Sequence, residues 1–319
     1  MKRFFSVDDV ANLDVLLQEA IHIKKNPLQK SELGKGKTLG LVFLNSSLRT
    51  RLSTQKAAQN LGLNTIILNA NQEAWTWEFE DGAIMNGGTV EHIKDAAQVL
   101  SQYCDIIGIR CFAGLTNKEE DTSEKVFSLF EKYATVPIIS LESATLHPLQ
   151  SLADCITIEE HKPSNKKPKV VLTWAPHIKS IPHAVGNSFA QWINKLDCEF
   201  VITNPIGYNL DTTYTKNITI EHNQEKALQD ADFVYIKNWS SFEEYGKIIE
   251  TNEDWMLTNE KLKVTNNAKI MHCLPVRRNV EVSDEVLDGE NALIYQQANN
   301  RTFAAQVILE KILESNENT

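Results

Sequence analysis

The stretch Phe43-Leu44-Asn45-Ser46-Ser47-Leu48-Arg49-Thr50-Arg51-Leu52-Ser53 follows the apolar run Thr38-Leu39-Gly40-Leu41-Val42-Phe43-Leu44. That run predicts a buried strand. Residues 48–61, rich in Arg, Gln, Ala and Leu, predict a helix ended by Gly62. Two serines, a threonine and two arginines therefore stand at a strand-to-helix turn. A helix's first turn leaves backbone N–H groups unpaired and carries partial positive charge. Hydroxyls and guanidinium groups added there suit a phosphate or another oxyanion. Basic residues in a first turn oppose the helix dipole, and a bound anion compensates. The plainer alternative is that Ser46 or Ser47 only caps the helix while Arg49 and Arg51 are solvated.

A chain of 319 residues is long for one core and comfortable for two domains. Its 42% hydrophobic and 23% charged content is ordinary for a soluble globular protein. A formal net charge of -10 argues against a nucleic-acid or membrane-surface role, so an anionic ligand needs a locally basic pocket. Cys104, Cys111, Cys155, Cys198 and Cys273 are odd in number and widely spaced, with no Cys-x-x-Cys. This is a reduced, cytoplasmic pattern rather than a disulfide framework or a metal site. The start of the chain reads as no signal peptide, and no apolar run approaches ~20 residues.

Strand and helix alternate along the chain. Residues 7–25 have apolar residues at helical spacing (Val10, Leu13, Leu17, Ile21) and predict a helix. Gly34-Lys35-Gly36-Lys37-Thr38 resembles a nucleotide phosphate loop only superficially: Ser31 stands where a glycine belongs, and the run precedes a strand. Strands are expected over 64–68, 105–109 and 137–141, with helices over 91–103, 122–134 and from His147 to 159. Between them 70–90 is irregular, with Trp75, Trp77 and three glycines, and such a loop is usually functional or mobile. The polar run 161–168 is the linker candidate. Beyond it, strands are expected over 169–173, 199–203, 233–236, 268–271 and 292–295, and helices over 182–196, 224–229, 282–287 and 300–313.

This rhythm implies an α/β protein of two doubly wound parallel-sheet domains. The expected division is 1–150, joined by a C-terminal helix 300–319, and 151–299, with the active site in the cleft between them. Ligands of such sheets gather at the carboxyl ends of the strands. That rule collects residues 46–50, Arg110, Glu142, 174–177, Lys237 and 272–274.

Two further motifs fall at those ends. His147-Pro148-Leu149-Gln150 puts a His and a Gln on one face of a helix's first turn. The histidine can donate to a carbonyl oxygen as charge builds; the glutamine can accept from an amide NH2. A capping His with a solvated Gln is the plainer alternative. In His272-Cys273-Leu274-Pro275 the thiol sits beside an imidazole, but neighbours in an extended segment point to opposite sides, so this is no Cys–His dyad. A small buried thiol is the plainer reading.

Together these residues resemble the aspartate/ornithine carbamoyltransferase family. Ser-Leu-Arg-Thr-Arg at 47–51 is similar to the family's phosphate signature, with Leu48 replacing a threonine. Arg110, His-Pro-x-Gln at 147–150, His-Cys-Leu-Pro at 272–275 and Arg301 follow in family order and span nearly the whole chain. The resemblance implies a cytoplasmic homotrimer with shared active sites and no metal or organic cofactor. Its substrates are carbamoyl phosphate and an amino acceptor, with no nucleic acid or membrane partner.

By the same resemblance, Ser47, Leu48, Arg49, Thr50 and Arg301 hold the phosphate, with Trp75 reaching in from a neighbouring subunit. Arg110, Thr50 and His147 stabilise charge on the carbonyl oxygen. Gln150 and the Leu274 carbonyl fix the carbamoyl NH2, Pro148 and Leu149 also bind carbamoyl phosphate, and Cys273 stands near the reacting centre. The chain lacks the family's Ser-Met-Gly loop, reading Lys237-Asn238-Trp239-Ser240-Ser241-Phe242-Glu243 instead. Thr173-Trp174-Ala175-Pro176-His177 and Trp75 resemble the branch that uses Nα-acyl-L-ornithine. There Glu142, His177, Lys237 and Arg277 are expected to bind the acyl-ornithine. Val90 stands where acetyl-using members carry glutamate and succinyl-using members proline. A glutamate would repel a succinyl carboxylate; valine does not. N-succinyl-L-ornithine is therefore the expected acceptor. The plainer reading of Val90 is that it only packs the loop while Lys179 or Trp77 closes the pocket; the alternative functions are an N-acetylornithine or free-ornithine enzyme, or a non-catalytic phosphometabolite-binding protein.

Overall fold

Thr38–Phe43 is a buried strand in the computed structural model, which describes residues 1–249 and 253–317. Met1–Gly114, Glu119–Leu149 and Arg301–Thr319 form one unit; Leu115–Lys118 and Gln150–Asn300 form a second. In unit 1 five parallel strands run in the order Arg3–Phe4, Ile138–Glu142, Ile106–Arg110, Thr38–Phe43, Asn64–Asn69. From Thr38–Phe43 the chain adds Asn64–Asn69 on one side, then returns to add Ile106–Arg110 on the other. The reversal opens a crevice at the carboxyl ends of Thr38–Phe43 and Ile106–Arg110, the usual ligand position in such sheets.

Unit 2 repeats the device. Its parallel order is Thr219–Glu221, Glu199–Thr203, Lys169–Trp174, Phe233–Lys237, Lys269–Met271. The order reverses between Lys169–Trp174 and Phe233–Lys237. The central strands are buried on both faces, as their unbroken apolar runs require. Gly62, with φ +77, stops the helix Leu48–Asn60; a Cβ there would stand 2.2 Å from the Ser31 carbonyl oxygen.

Several expected elements differ. Residues 7–25 are two helices, Val7–Asp9 and Leu13–Lys25, because Asn12 caps the second by accepting the Val15 N–H at 3.1 Å. The helix expected over 122–134 is Lys118–Thr122 and Lys125–Tyr133, interrupted by Glu124 at φ +51. The helix expected from residue 91 begins at Ile93, since Glu91–His92 pairs with Trp77–Glu78. The strand expected over 292–295 is one bridge, Ala292 to Ile270; the helix Ile294–Glu317 then takes over. Residues 318 and 319 of the expected terminal helix lie outside the described residues. Arg3–Phe4 and Thr219–Glu221, too short for a periodic signal, were not foreseen. All five cysteines are free thiols, and no described helix is long and apolar enough to cross a membrane.

Candidate active site

In unit 1 the turn after Thr38–Phe43 is built as a cradle. Ser47 is extended (φ -153) and caps Leu48–Asn60, its Oγ accepting the Thr50 N–H at 3.2 Å. Leu48 faces solvent, Arg49 is half-buried, and Thr50 is buried. Arg301, from the terminal helix, donates from Nη2 to Thr50 Oγ1 at 2.6 Å. A guanidinium and a hydroxyl from opposite ends of the sequence thus meet at the first turn of one helix.

Arg110 ends its strand beside that turn. Its Nη1 donates to the carbonyls of Asn45 (3.0 Å) and Ser46, and its Nη2 donates to Glu142 Oε2 at 2.9 Å. Asn45 Oδ1 accepts the Phe112 N–H at 2.7 Å, and the Arg110 guanidinium lies 4.2 Å from the Phe112 ring centroid. His147 Nε2 stands 3.4 Å from the same Glu142 oxygen. Arg110, Glu142 and His147 are all buried. Glu142 was expected at the acyl-ornithine; the structure engages it with Arg110 and His147. Sequence reasoning missed Glu124. Its Oε1 accepts from Ser143 Oγ (2.5 Å), Thr145 N–H (2.8 Å) and Thr145 Oγ1, bracing the turn between Glu142 and His147. That role has no local signal, because the carboxylate acts outside its own helix.

Trp75 and Val90 project from unit 1, 66% and 59% exposed. Trp77 is buried instead, donating to Glu91 Oε2 at 3.2 Å and packing edge-on to Phe130, so it belongs to the core and not to a pocket wall.

In unit 2 His177, Lys237 and Arg277 gather at the reversal of strand order. Arg277 Nε donates to His177 Nε2 at 3.0 Å, and Nδ1 lies against both the Lys179 carbonyl at 2.9 Å and the Lys179 N–H at 3.0 Å. Burial holds the His177 pKa below 6.5, with Lys237 and Arg277 adding to it against the Lys179 carbonyl and Glu281. The ring is thus a neutral acceptor. Among the described residues no carboxylate forms a salt bridge with Lys237 or Arg277, though Glu281 lies close enough to feel the Lys237 charge, whereas the adjacent Arg278 bonds Asp284 and Asp288.

The 272–277 turn is fixed from within. His272 Nδ1 accepts the Leu274 N–H at 2.9 Å, and its Nε2 donates to Glu281 Oε2 at 3.2 Å. Glu281 Oε1 accepts the Arg277 N–H at 3.0 Å. Both ring nitrogens of His272 are thus engaged within the turn, and Cys273 beside it is buried. Leu274 has φ +56, a conformation rare for a bulky residue and concentrated at functional turns. Gln150, Pro148 and Leu149 are buried at the head of the helix Pro148–His161. Gln150 Nε2 donates to Asp154 Oδ1 at 2.7 Å.

Comparison with known proteins follows the same two parts. A family model described as the carbamoyl-P binding domain of aspartate/ornithine carbamoyltransferase matches residues 2–160, and one described as the Asp/Orn binding domain matches 182–312. The N-succinylornithine carbamoyltransferase of Bacteroides fragilis (strain 638R) is 49% identical over 317 residues, 99% of either chain. The N-acetylornithine carbamoyltransferase of Xanthomonas campestris pv. campestris is 35% identical over 331 residues, 97% of either chain. A solved variant of N-acetyl-L-ornithine transcarbamylase, complexed with carbamyl phosphate and N-succinyl-L-norvaline, is 33% identical with a TM-score of 0.92, covering 98% of this chain and 100% of that one.

Proposed function

The chain belongs to the aspartate/ornithine carbamoyltransferase family, and from that premise we propose that it carries the carbamoyl group of carbamoyl phosphate to the δ-amine of N-succinyl-L-ornithine. The products are N-succinyl-L-citrulline and phosphate, and the reaction serves arginine biosynthesis in the cytoplasm. The carrying observation is the 49% identity, over 99% of the chain, to a relative named for the succinyl substrate, against 35% to one named for the acetyl substrate.

Each residue has a role in that chemistry. Ser47, Leu48, Arg49, Thr50 and Arg301 hold the phosphate, and in a homotrimer Trp75 of a neighbouring subunit completes the cradle. Its exposure on unit 1 suits that task. The δ-nitrogen attacks the carbamoyl carbon, and negative charge collects on the carbonyl oxygen. Arg110, Thr50 and His147 oppose that charge from fixed positions, which is where most catalytic stabilisation arises. Glu142 orients Arg110 and His147 from within the site. Gln150 and the Leu274 carbonyl accept from the carbamoyl NH2, Pro148 and Leu149 line the carbamoyl phosphate from the helix start between His147 and Gln150, and Cys273 lies close by. The carbon–oxygen bond to phosphate then breaks, and the departing phosphate takes the amine proton. Carbamoyl phosphate brings its own leaving group, so positioning two bound reactants supplies much of the remaining rate.

Lys237 and Arg277 pair with the carboxylates of the acyl-ornithine, His177 orients Arg277, and Val90 borders the acyl group. The test is direct. Purified protein with carbamoyl phosphate and N-succinyl-L-ornithine yields ureido product and phosphate in equal amounts. No ureido product from the succinyl, acetyl or free ornithine would leave a non-catalytic phosphometabolite-binding protein as the reading.

A further inference from the structure

We infer that Asp154 is a positioning residue for carbamoyl recognition, fixing the Gln150 carboxamide and, through Gln297, the His272–Leu274 turn so that both offer acceptors to one NH2. This rests on the carbamoyl transfer proposed above. Asp154 follows Gln150 by four residues, on the same helix face. Its Oδ1 accepts from Gln150 Nε2 at 2.7 Å and from Gln297 Nε2 at 2.7 Å. Gln297 Oε1 in turn accepts the His272 N–H at 2.9 Å. Asp154, Gln297 and His272 are 0% exposed and Gln150 is 1% exposed, so the chain of bonds is sealed from water.

The two ends of a carboxamide are nearly equal in shape and opposite in polarity. Only a partner decides which end faces a ligand. Asp154 takes the NH2 end of Gln150, so it is the Oε1 end that the carboxamide has left to offer as an acceptor. Gln297 is turned by the same oxygen, so its own Oε1 faces the His272 backbone. The turn carrying Leu274 is therefore tied to the residue that orients Gln150. A carbamoyl NH2 has two hydrogens and needs two acceptors; the Gln150 oxygen and the Leu274 carbonyl are the pair. Buried networks of this kind work only when every polarity agrees, because an unmet buried NH2 is costly. Burial, and then the Asp154 charge, hold the phenol of Tyr235 well above its ordinary pKa, so the network also has a proton-retaining neighbour.

The test compares affinities for carbamoyl phosphate, acetyl phosphate, in which a methyl group replaces the NH2, and inorganic phosphate. Asp154→Leu removes the shared acceptor. It is expected to cut the preference for carbamoyl over acetyl phosphate by about tenfold while phosphate affinity stays within about twofold. Asp154→Asn keeps an amide oxygen in the Oδ1 position and is expected to restore most of the preference. Should Asp154→Leu fail to fold, Gln297→Met removes the bridge between Asp154 and His272 but leaves Asp154 bonded to Gln150, and a smaller loss in the same ratio is expected. An unchanged ratio in the folded variant, or equal weakening of all three ligands, would overturn the assignment. A wild-type protein with no preference for carbamoyl phosphate would overturn the proposed function itself.

Discussion

Arg110 and Arg277 each lie near the carboxyl edge of a parallel sheet, and they are treated in opposite ways. Arg110 is buried, and Glu142, two backbone carbonyls and the Phe112 ring hold its guanidinium in one orientation. Arg277 is exposed, touches a neutral imidazole, and has no carboxylate partner among the described residues. A cation that must meet charge only as it develops has to be set beforehand, since reorganising during the reaction costs rate. A cation that recognises a substrate's permanent charge does best with that valence open. Unit 1 has the first arrangement and unit 2 the second. Arg278, one residue away and bonded to two aspartates, shows that the open valence of Arg277 is particular to its position.

The sharpest way to break this contrast is Arg110→Lys. Lysine keeps the charge but not the planar fork that reaches Glu142 and two carbonyls together. The expected result is a fall in kcat of about 1,000-fold, roughly 4 kcal/mol, with KM for the acyl-ornithine changed only a few-fold. A thermal melt that stays cooperative separates this from unfolding. An effect on KM alone would place Arg110 in substrate recognition and erase the contrast.

A smaller effect is expected at the other pole. Arg277→Ala is expected to raise KM for the acyl-ornithine by about tenfold with little change in kcat, while Arg278→Ala leaves KM where it was. Equal effects from the two neighbours would mean that the open valence has no bearing on binding.

Smallest is the pH effect through His177. Its pKa is held below the ordinary 6.5 by burial, so in the folded protein the ring stays neutral as pH falls through that value. Arg277 keeps its acceptor there, and KM for the acyl-ornithine stays flat; the rise comes only further into acid, once the ring is charged. Stability moves the same way: the unfolded chain takes this proton first, so the group favours unfolding as pH drops below 6.5. Steady-state kinetics from pH 8 to 5 read the first effect, and a KM rise centred at 6.5 or above would contradict it.

Much of this was legible in the sequence, for reasons that also mark its limits. The strand ends delivering Arg110, Glu142 and Lys237 follow from short, mostly apolar runs, and the reversals of strand order fall where those runs predicted polar ends. The run Ala292-Leu293-Ile294-Tyr295 misled because four apolar residues fit a strand and a buried helix start equally well. Glu124 was illegible because its partners are fixed by tertiary packing rather than by local pattern; the Asp154 spacing from Gln150 is local, but its bond to Gln297 is tertiary and has no signal in the sequence. Glu142 was found at the right strand end, yet its engagement with Arg110 and His147 depends on side-chain geometry that no spacing encodes.

The central claim is the succinyl acceptor, and Val90 tests it most directly. Val90 is 59% exposed, and its side chain brings no charge to the loop. The measurement is kcat/KM with N-succinyl-L-ornithine and N-acetyl-L-ornithine, in the wild type and in Val90→Glu. The wild type is expected to favour the succinyl compound by about tenfold or more, through its added carboxylate and the open valences of Lys237 and Arg277. Val90→Glu is expected to lower the succinyl value and move preference toward acetylornithine, because two carboxylates would then face each other. A wild type that favours acetylornithine, or a Val90→Glu enzyme that keeps its succinyl preference, would contradict the account.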